Sequence, residues 1–300
     1  MSNKDLALGL FVMFIWGINF AVIKLGVSEV NPLVVTAMRF TLAAIPLVFF
    51  VKKPDVPWRY LISYGVVFGL GVWGMASWSV TEGLTVGMAA VLLQVNVLFG
   101  LTIGALVFKE SITPVKLAGF VLALMGLVTA VIATNGTATL SGVMLILTAA
   151  LSWSVVSTIV KKSGTTQVFA FSLWGMLFAP VPLLGLAVFL HGPAVLTDSI
   201  EAWNWQVSFS VIFQAYPTTL FGYWVWNKLL VKYPMSTATP LTLLVPVFGL
   251  IGGYVVFEET MSLMQTLASL LILAGILVIV FAPKLTALRD KKQGVASSMS

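Results

Sequence analysis

Ten runs of about twenty apolar residues, parted by short polar breaks, occupy this chain from Leu6 to Phe281. About 20 apolar residues in a helix cross roughly 30 Å of hydrocarbon. Within lipid, every backbone N–H and C=O must be satisfied inside the segment or in a closed barrel. Runs of this length therefore predict an all-α membrane protein. The runs are Leu6–Val27, Pro32–Val51, Tyr60–Val80, Thr85–Phe108, Val115–Ala133, Ser141–Val160, Val168–Leu190, Trp205–Asn227, Pro234–Phe257 and Met261–Phe281. Only 9% of the 300 residues are charged, against about a quarter in soluble domains.

The charges orient the runs. With the N-terminus inside, all of the 16 Lys and Arg except Lys24 and Arg39 fall in inner segments, from Lys4 and Lys52 to Lys291 and Lys292. The outer segments hold Glu29, Glu82, Asp198, Glu201, Glu258 and Glu259, without a Lys or Arg. Short loops with this bias face the cytoplasm. Both termini are thus expected inside, with Trp58, Trp203 and Trp205 at the interfaces. The net charge of +6 reflects basic loops against anionic lipid, so no nucleic-acid partner is expected. The N-terminal run is too long for a signal-peptide core and is expected to stay as an uncleaved span.

Enzymatic chemistry finds little material. Cysteine is absent and the one His, His191, lies in a loop. No Gly-x-Ser-x-Gly, His-Glu-x-x-His or Gly-x-x-x-x-Gly-Lys-[Ser/Thr] occurs, which argues against a hydrolase, a metalloenzyme and an ATP-driven pump on this chain. No metal or cofactor is expected.

The chain is also self-similar. Val91–Glu110 lies over Pro240–Glu259 without a gap, with Phe99-Gly100-Leu101 on Phe248-Gly249-Leu250. Near the front, Trp16 meets Trp153 and Lys24 meets Lys161. Residues 1–134 and 135–283 form the two copies, and 284–300 a basic tail expected to be disordered. Each copy has five runs, an odd number, so the second enters the membrane from the opposite face. Inverted repeats are a carrier signature, because two similar halves can rock about a site near the midplane.

Phe14-Ile15-Trp16-Gly17-Ile18-Asn19-Phe20, Met38-Arg39-Phe40, Lys109-Glu110 and Leu244-Val245-Pro246-Val247-Phe248-Gly249 before Glu258-Glu259 resemble the EamA family of the drug/metabolite transporter superfamily. The resemblance extends from Leu6 to Ala282 and is similar to bacterial exporters of cysteine and O-acetylserine-type metabolites. It departs at Asn96, where a second Gln is expected. The resemblance implies ten helices, an inner-membrane location, and export of small metabolites such as amino acids. The expected partners are a small-molecule substrate and the bilayer, with the chain a monomer or homodimer. A carrier or drug exporter for another substrate class, or a passive channel, remains the alternative.

Two cations and several polar groups at depth are the candidates for substrate contact. Lys24 lies near the outer end of its run, where it either snorkels toward Glu29 or serves transport. Arg39 lies roughly 10 Å into its run at about 1.5 Å per residue. Such a charge faces the bundle interior or water. It pairs either with a substrate carboxylate or with Glu82 or a helix C-terminus. No Asp or Glu lies mid-run, which leans against strong proton coupling. Asn19, Gln94, Asn96 and Gln214 can read polar substrate groups or bond between helices. Gln94 and Asn96 sit about 200° apart on a helix, so at most one faces a given cavity. Trp16, Trp73, Trp153 and Trp224 lie within runs, with Tyr223 a weaker candidate. Trp16 and Trp153 are repeat mates that could face one another. Pro46, Pro182, Pro217 and Pro246 are gate or hinge candidates, and Pro217 can also free a carbonyl. Gly65-x-x-x-Gly69, Gly100-x-x-x-Gly104 and Gly249-x-x-x-Gly253 are assigned to packing.

Overall fold

Polar residues at the breaks cap the helices that the apolar runs build. In a computed structural model of the chain, which describes residues 1–109, 112–132, 139–233 and 239–297, Ser2 accepts the Asp5 amide and α1 runs Asn3–Val27. Asn31 caps α2, Pro32–Val48, whose Pro32 occupies the first turn, where no N–H is needed. Helix α3, Trp58–Thr81, contains a wide π stretch, Val67–Gly74. Helix α4, Val86–Phe108, breaks at Gln94-Val95 into Val86–Leu93 and Asn96–Phe108. Helix α5 is Pro114–Ile132. Thr139 caps α6, Leu140–Ser163, and left-handed Gly164 ends it. Helix α7, Val168–His191, is interrupted between Met176 and Pro180. A short helix, Ala194–Glu201, leads to α8 at 205–232, capped by Asn204 and holding a second π stretch, Gln214–Phe221. Helix α9, Leu241–Phe257, follows the 3-10 turn Thr239–Leu243, and α10 is Leu263–Ser297. Among the described residues there is no strand.

Seven of these helices are long and apolar enough to cross a membrane: α1, α3, α4, α5, α6, α7 and the part of α10 up to Ala282. Helices α2 and α9 are shorter, and α8 is diluted by the polar π stretch. The expected start of the ninth run at Pro234, the boundary at 134/135 and Glu110 lie outside the described residues. The expected tail begins within the backbone of α10, and its side chains lie outside the description.

The helices pack in recurring pairs. Helix α1 lies along α9 and α8, α6 lies along α4 and α3, α2 meets α7, and α5 runs beside α10. The α5–α10 contact is backbone-close: a Cβ on Gly126 would sit 2.7 Å from the Ile272 nitrogen and 2.8 Å from the Ala268 oxygen. At the α1–α9 contact, a Cβ on Gly17 would lie 2.7 Å from the Val245 oxygen. Without a hydrophobic drive between helices in lipid, such close approach supplies the dispersion that holds them. In the expected packing pairs, Gly65 and Gly69 meet Gly175 and Ala179 on α7, and Gly249 meets Ala90 on α4.

The prolines fall into two groups. Pro217 lies inside the second π stretch and Pro46 inside α2, near its end. Pro182 and Pro246 stand in the first turn of their helical segments, where a missing N–H costs no bond. The chain therefore breaks just before these two prolines, at residues 177–179 and at Leu243.

Candidate functional site

Arg39, on α2, is fully buried and is the only charged residue that is so among the described residues. The second π stretch meets it. Arg39 Nε and Nη2 donate to Thr219 Oγ1 at 3.2 and 2.9 Å, and Nη1 donates to Gln214 Oε1 at 3.3 Å. Both acceptors are neutral. The guanidinium also lies 4.2 Å from the Trp73 ring centroid and 5.3 Å from that of Phe40, and Tyr223 is an electrostatic neighbour. The expected pairing with Glu82 or a helix C-terminus is not seen: Glu82 accepts from Trp78 Nε1 and Ser141 Oγ.

The π stretch explains the geometry. Widening a helix to i→i+5 bonding displaces groups from the ordinary ladder, and such bulges recur at functional sites. Here Thr219 Oγ1 reaches back to the Gln214 carbonyl at 2.7 Å, and the Thr218 carbonyl accepts from Trp16 Nε1 at 3.0 Å. Thr218 Oγ1 donates to Asn19 Oδ1 at 2.9 Å. Gln214 Nε2 donates to Ser210 Oγ, which in turn donates to the Val22 carbonyl. Helices α1, α2, α3 and α8 thus converge on one buried polar knot. Two donors in it find no acceptor, Asn19 Nδ2 and Trp73 Nε1. The Tyr223 hydroxyl neighbours the latter outside hydrogen-bond geometry.

Aromatic rings continue the knot. Trp16 packs on Tyr223 at 5.4 Å and on Trp226 at 5.8 Å, while Trp153 packs on Trp73 at 5.7 Å and on Phe68 at 6.0 Å. Phe68 and Tyr223, 6.0 Å apart, join the two groups. Trp16 and Trp153 therefore do not pair face to face, as their repeat relationship suggested. They are ends of one aromatic row bridged by Tyr223 and Phe68.

The remaining candidates fall elsewhere. Gln94 and Asn96 occupy the break in α4: Gln94 Nε2 donates to the Thr242 carbonyl at 3.4 Å, and Asn96 Nδ2 to the Leu93 carbonyl at 2.8 Å. They cap helix ends at the α4–α9 and α4–α6 contacts, and Ser154 Oγ bonds the Asn96 carbonyl. Trp224 points away from the knot: it is 45% exposed and lies under the Lys228 ammonium, 3.5 Å from its centroid. Thr218, Thr219 and Phe68 were not singled out from sequence. The two threonines carried a signal, since they directly follow the Pro217 that marks the disturbed turn.

Each end of α1 is tied. Lys24 Nζ bonds Glu259 Oε1 at 2.8 Å rather than Glu29, and the same carboxylate accepts the Val86 and Gly87 amides at the start of α4. A cavity of about 330 Å³ lined by Thr85, Gly87, Leu250, Tyr254 and Met261 opens beside it. At the other end, Asp5 Oδ2 accepts from Lys232 Nζ at 2.7 Å and from the Tyr233 hydroxyl at 2.5 Å. No group of three His, Cys, Asp or Glu able to hold a metal occurs among the described residues.

Comparison with known proteins places this architecture. The EamA-like transporter family model matches residues 4–132 and again 140–281. The chain is 36% identical over 287 residues to a "Probable amino-acid metabolite efflux pump" of Salmonella typhimurium, covering 94% of this chain and 96% of that one. It is 33% identical, with the same coverage, to a protein of that name in Escherichia coli. An "Uncharacterized transporter" of Archaeoglobus fulgidus is 29% identical over 93% of this chain and 99% of its own length. A crystal structure of similar fold superposes with a TM-score of 0.61 at 17% identity, covering 96% of this chain and 99% of the other. The chain is a multi-pass membrane protein, and it belongs to the EamA-like transporter family.

Proposed function

We propose that this chain is a secondary carrier of the bacterial inner membrane that exports amino-acid metabolites by alternating access, with Arg39 receiving the substrate carboxylate. The observation that carries this reading is the buried guanidinium on neutral acceptors. A charge in the bilayer interior is costly and marks substrate or ion pathways, and a carboxylate matches the guanidinium fork. Asn19, Trp73, Gln214 and Tyr223 stand around it as further contacts, with Trp16 and Trp153 as walls. The two efflux relatives support the substrate class.

Ten spans in two inverted copies, residues 1–134 and 135–283, with both termini and the 284–300 tail cytoplasmic, complete the proposal. Three features support the copies. The family model matches twice. Lys109 and Glu258, repeat mates in sequence, are the non-Gly residues with positive φ among the described residues, at 54° and 53°. The eight-residue π stretches of α3 and α8 sit at matching places in the two copies. The pairing of α1 with α9 and α6 with α4, beside the α2–α7 and α5–α10 pairs, suits a pseudo-two-fold between opposed bundles. In this reading Lys24–Glu259 closes the outer end and Asp5–Lys232 the inner, and each opens in turn, with Pro46, Pro182, Pro217 and Pro246 beside the moving breaks.

The test is transport by the purified chain in proteoliposomes. Arg39→Ala is expected to abolish export of carboxylate-bearing amino-acid metabolites, while Lys24→Ala slows it. Equal mild effects assign Arg39 to structure alone, and unsaturable flux of every small solute assigns a channel. Orientation is read separately. Because native Cys is absent, Asp198→Cys should react with an impermeant thiol reagent from outside and Lys162→Cys should not.

A further inference from the structure

The charge balance of the knot narrows the substrate further than its relatives' names do. We infer that the site is built for net-anionic carboxylates without a free ammonium, such as N-acylated amino acids, rather than for zwitterionic amino acids. The inference rests on the proposed role of Arg39 and asks what else that site can accept.

Three observations support it. First, the buried polar side chains among the described residues include Arg39 and no Asp or Glu. An α-ammonium entering beside Arg39 meets a like charge at low dielectric and no counter-ion. Second, both unpartnered polar atoms in the knot, Asn19 Nδ2 and Trp73 Nε1, are donors. The acceptors around them are engaged: Asn19 Oδ1 by Thr218, Gln214 Oε1 by Arg39, the Gln214 carbonyl by Thr219 and the Thr218 carbonyl by Trp16. An ammonium needs acceptors, whereas carboxylate and acyl oxygens use donors. Third, the aromatic faces that could hold an ammonium are occupied. Arg39 covers Trp73 at 4.2 Å, and Trp153, Phe68 and Tyr223 pack against one another or against Trp73 and Trp16. Acylating the amino group removes the like charge and adds a carbonyl oxygen for a free donor.

The experiment uses the full chain in proteoliposomes and four side chains, Ser, Met, Leu and Phe. Each is supplied as the N-acetyl acid, the free amino acid and the amino-acid amide. The expected result is export of the best N-acetyl acid about tenfold faster than its free amino acid, the ratio that a modest difference in binding energy supplies, with the amides excluded. Free amino acids exported as fast as or faster than their N-acetyl forms overturn the inference while leaving amino-acid export standing. Export of amides alone, or of none of the twelve compounds, overturns the carboxylate site itself. Asn19→Asp, which replaces the unpaired donor with a carboxylate, is expected to move the ratio toward the free amino acid. An unchanged ratio in a folded variant also counts against the inference. The wild-type comparison stands by itself if the variant does not fold.

Discussion

Lys24 Nζ and Glu259 Oε1 stand 2.8 Å apart with side chains 29% and 10% exposed, and the same carboxylate holds the first amides of α4. One acid thus joins α1, α4 and the α9–α10 turn. Replacing it as Glu259→Gln keeps an acceptor for an amide and removes the ion pair. A charged hydrogen bond in this setting contributes about 1.5–3 kcal/mol. The outer end should open more often, and Leu250→Cys beside the cavity should label several-fold faster with an impermeant thiol reagent. Unchanged labelling would show that the pair does not hold this end shut.

Thr219 is predicted to matter as much to the folded state as to transport. Thr219→Val is nearly isosteric but withdraws the acceptor of two guanidinium bonds. A buried donor left unpaired costs about 1–3 kcal/mol, more when charged. The thermal midpoint in detergent should fall by several degrees, and Thr219→Ser should restore most of it. A midpoint unmoved by Val would mean that Arg39 finds other acceptors.

Trp73→Phe separates binding from stability. It retains a ring beneath the guanidinium and deletes an unpaired donor. Removing a buried unsatisfied group relieves about 1 kcal/mol or more, so stability should hold or rise while carboxylate affinity falls about fivefold or more. The two readouts are a melting curve and a concentration series of export. Loss of stability together with unchanged affinity would remove Trp73 from the site.

Gly126→Leu tests the α5–α10 seam. Its Cβ would lie 2.7–2.8 Å from backbone atoms of α10, which cannot yield as a side-chain tip can. Overpacking of this kind costs about 1–3 kcal/mol, occasionally more, so folded yield should drop sharply. Arg39 lies on another helix, so the residual folded fraction should retain its substrate preference.

The positions of the helices were legible in the sequence because length and apolarity alone decide what can cross lipid. Arg39 and Gln214 were legible for the same reason, as polar groups where polarity is costly. Which way each side chain points was not. A helix that is apolar all round carries no stripe to mark its inward face. Trp224, turned outward, and Trp73, turned inward, therefore looked alike. Nor could sequence choose among the outer carboxylates for Lys24, since Glu29 is near in the chain and Glu259 only in space. Thr218 and Thr219 were overlooked because hydroxyls are common in membrane helices and are usually satisfied by the preceding turn.

The wide turn Gln214–Phe221 has a consequence for chain length. Each residue advances an α-helix by about 100°. Excising a single amino acid from this turn would therefore swing everything after it by that angle, carrying Tyr223 and Trp226 off Trp16 while Ser210 kept its place on α1. Insertions and deletions in α8 should thus be tolerated least between 214 and 221, where the helix is least regular.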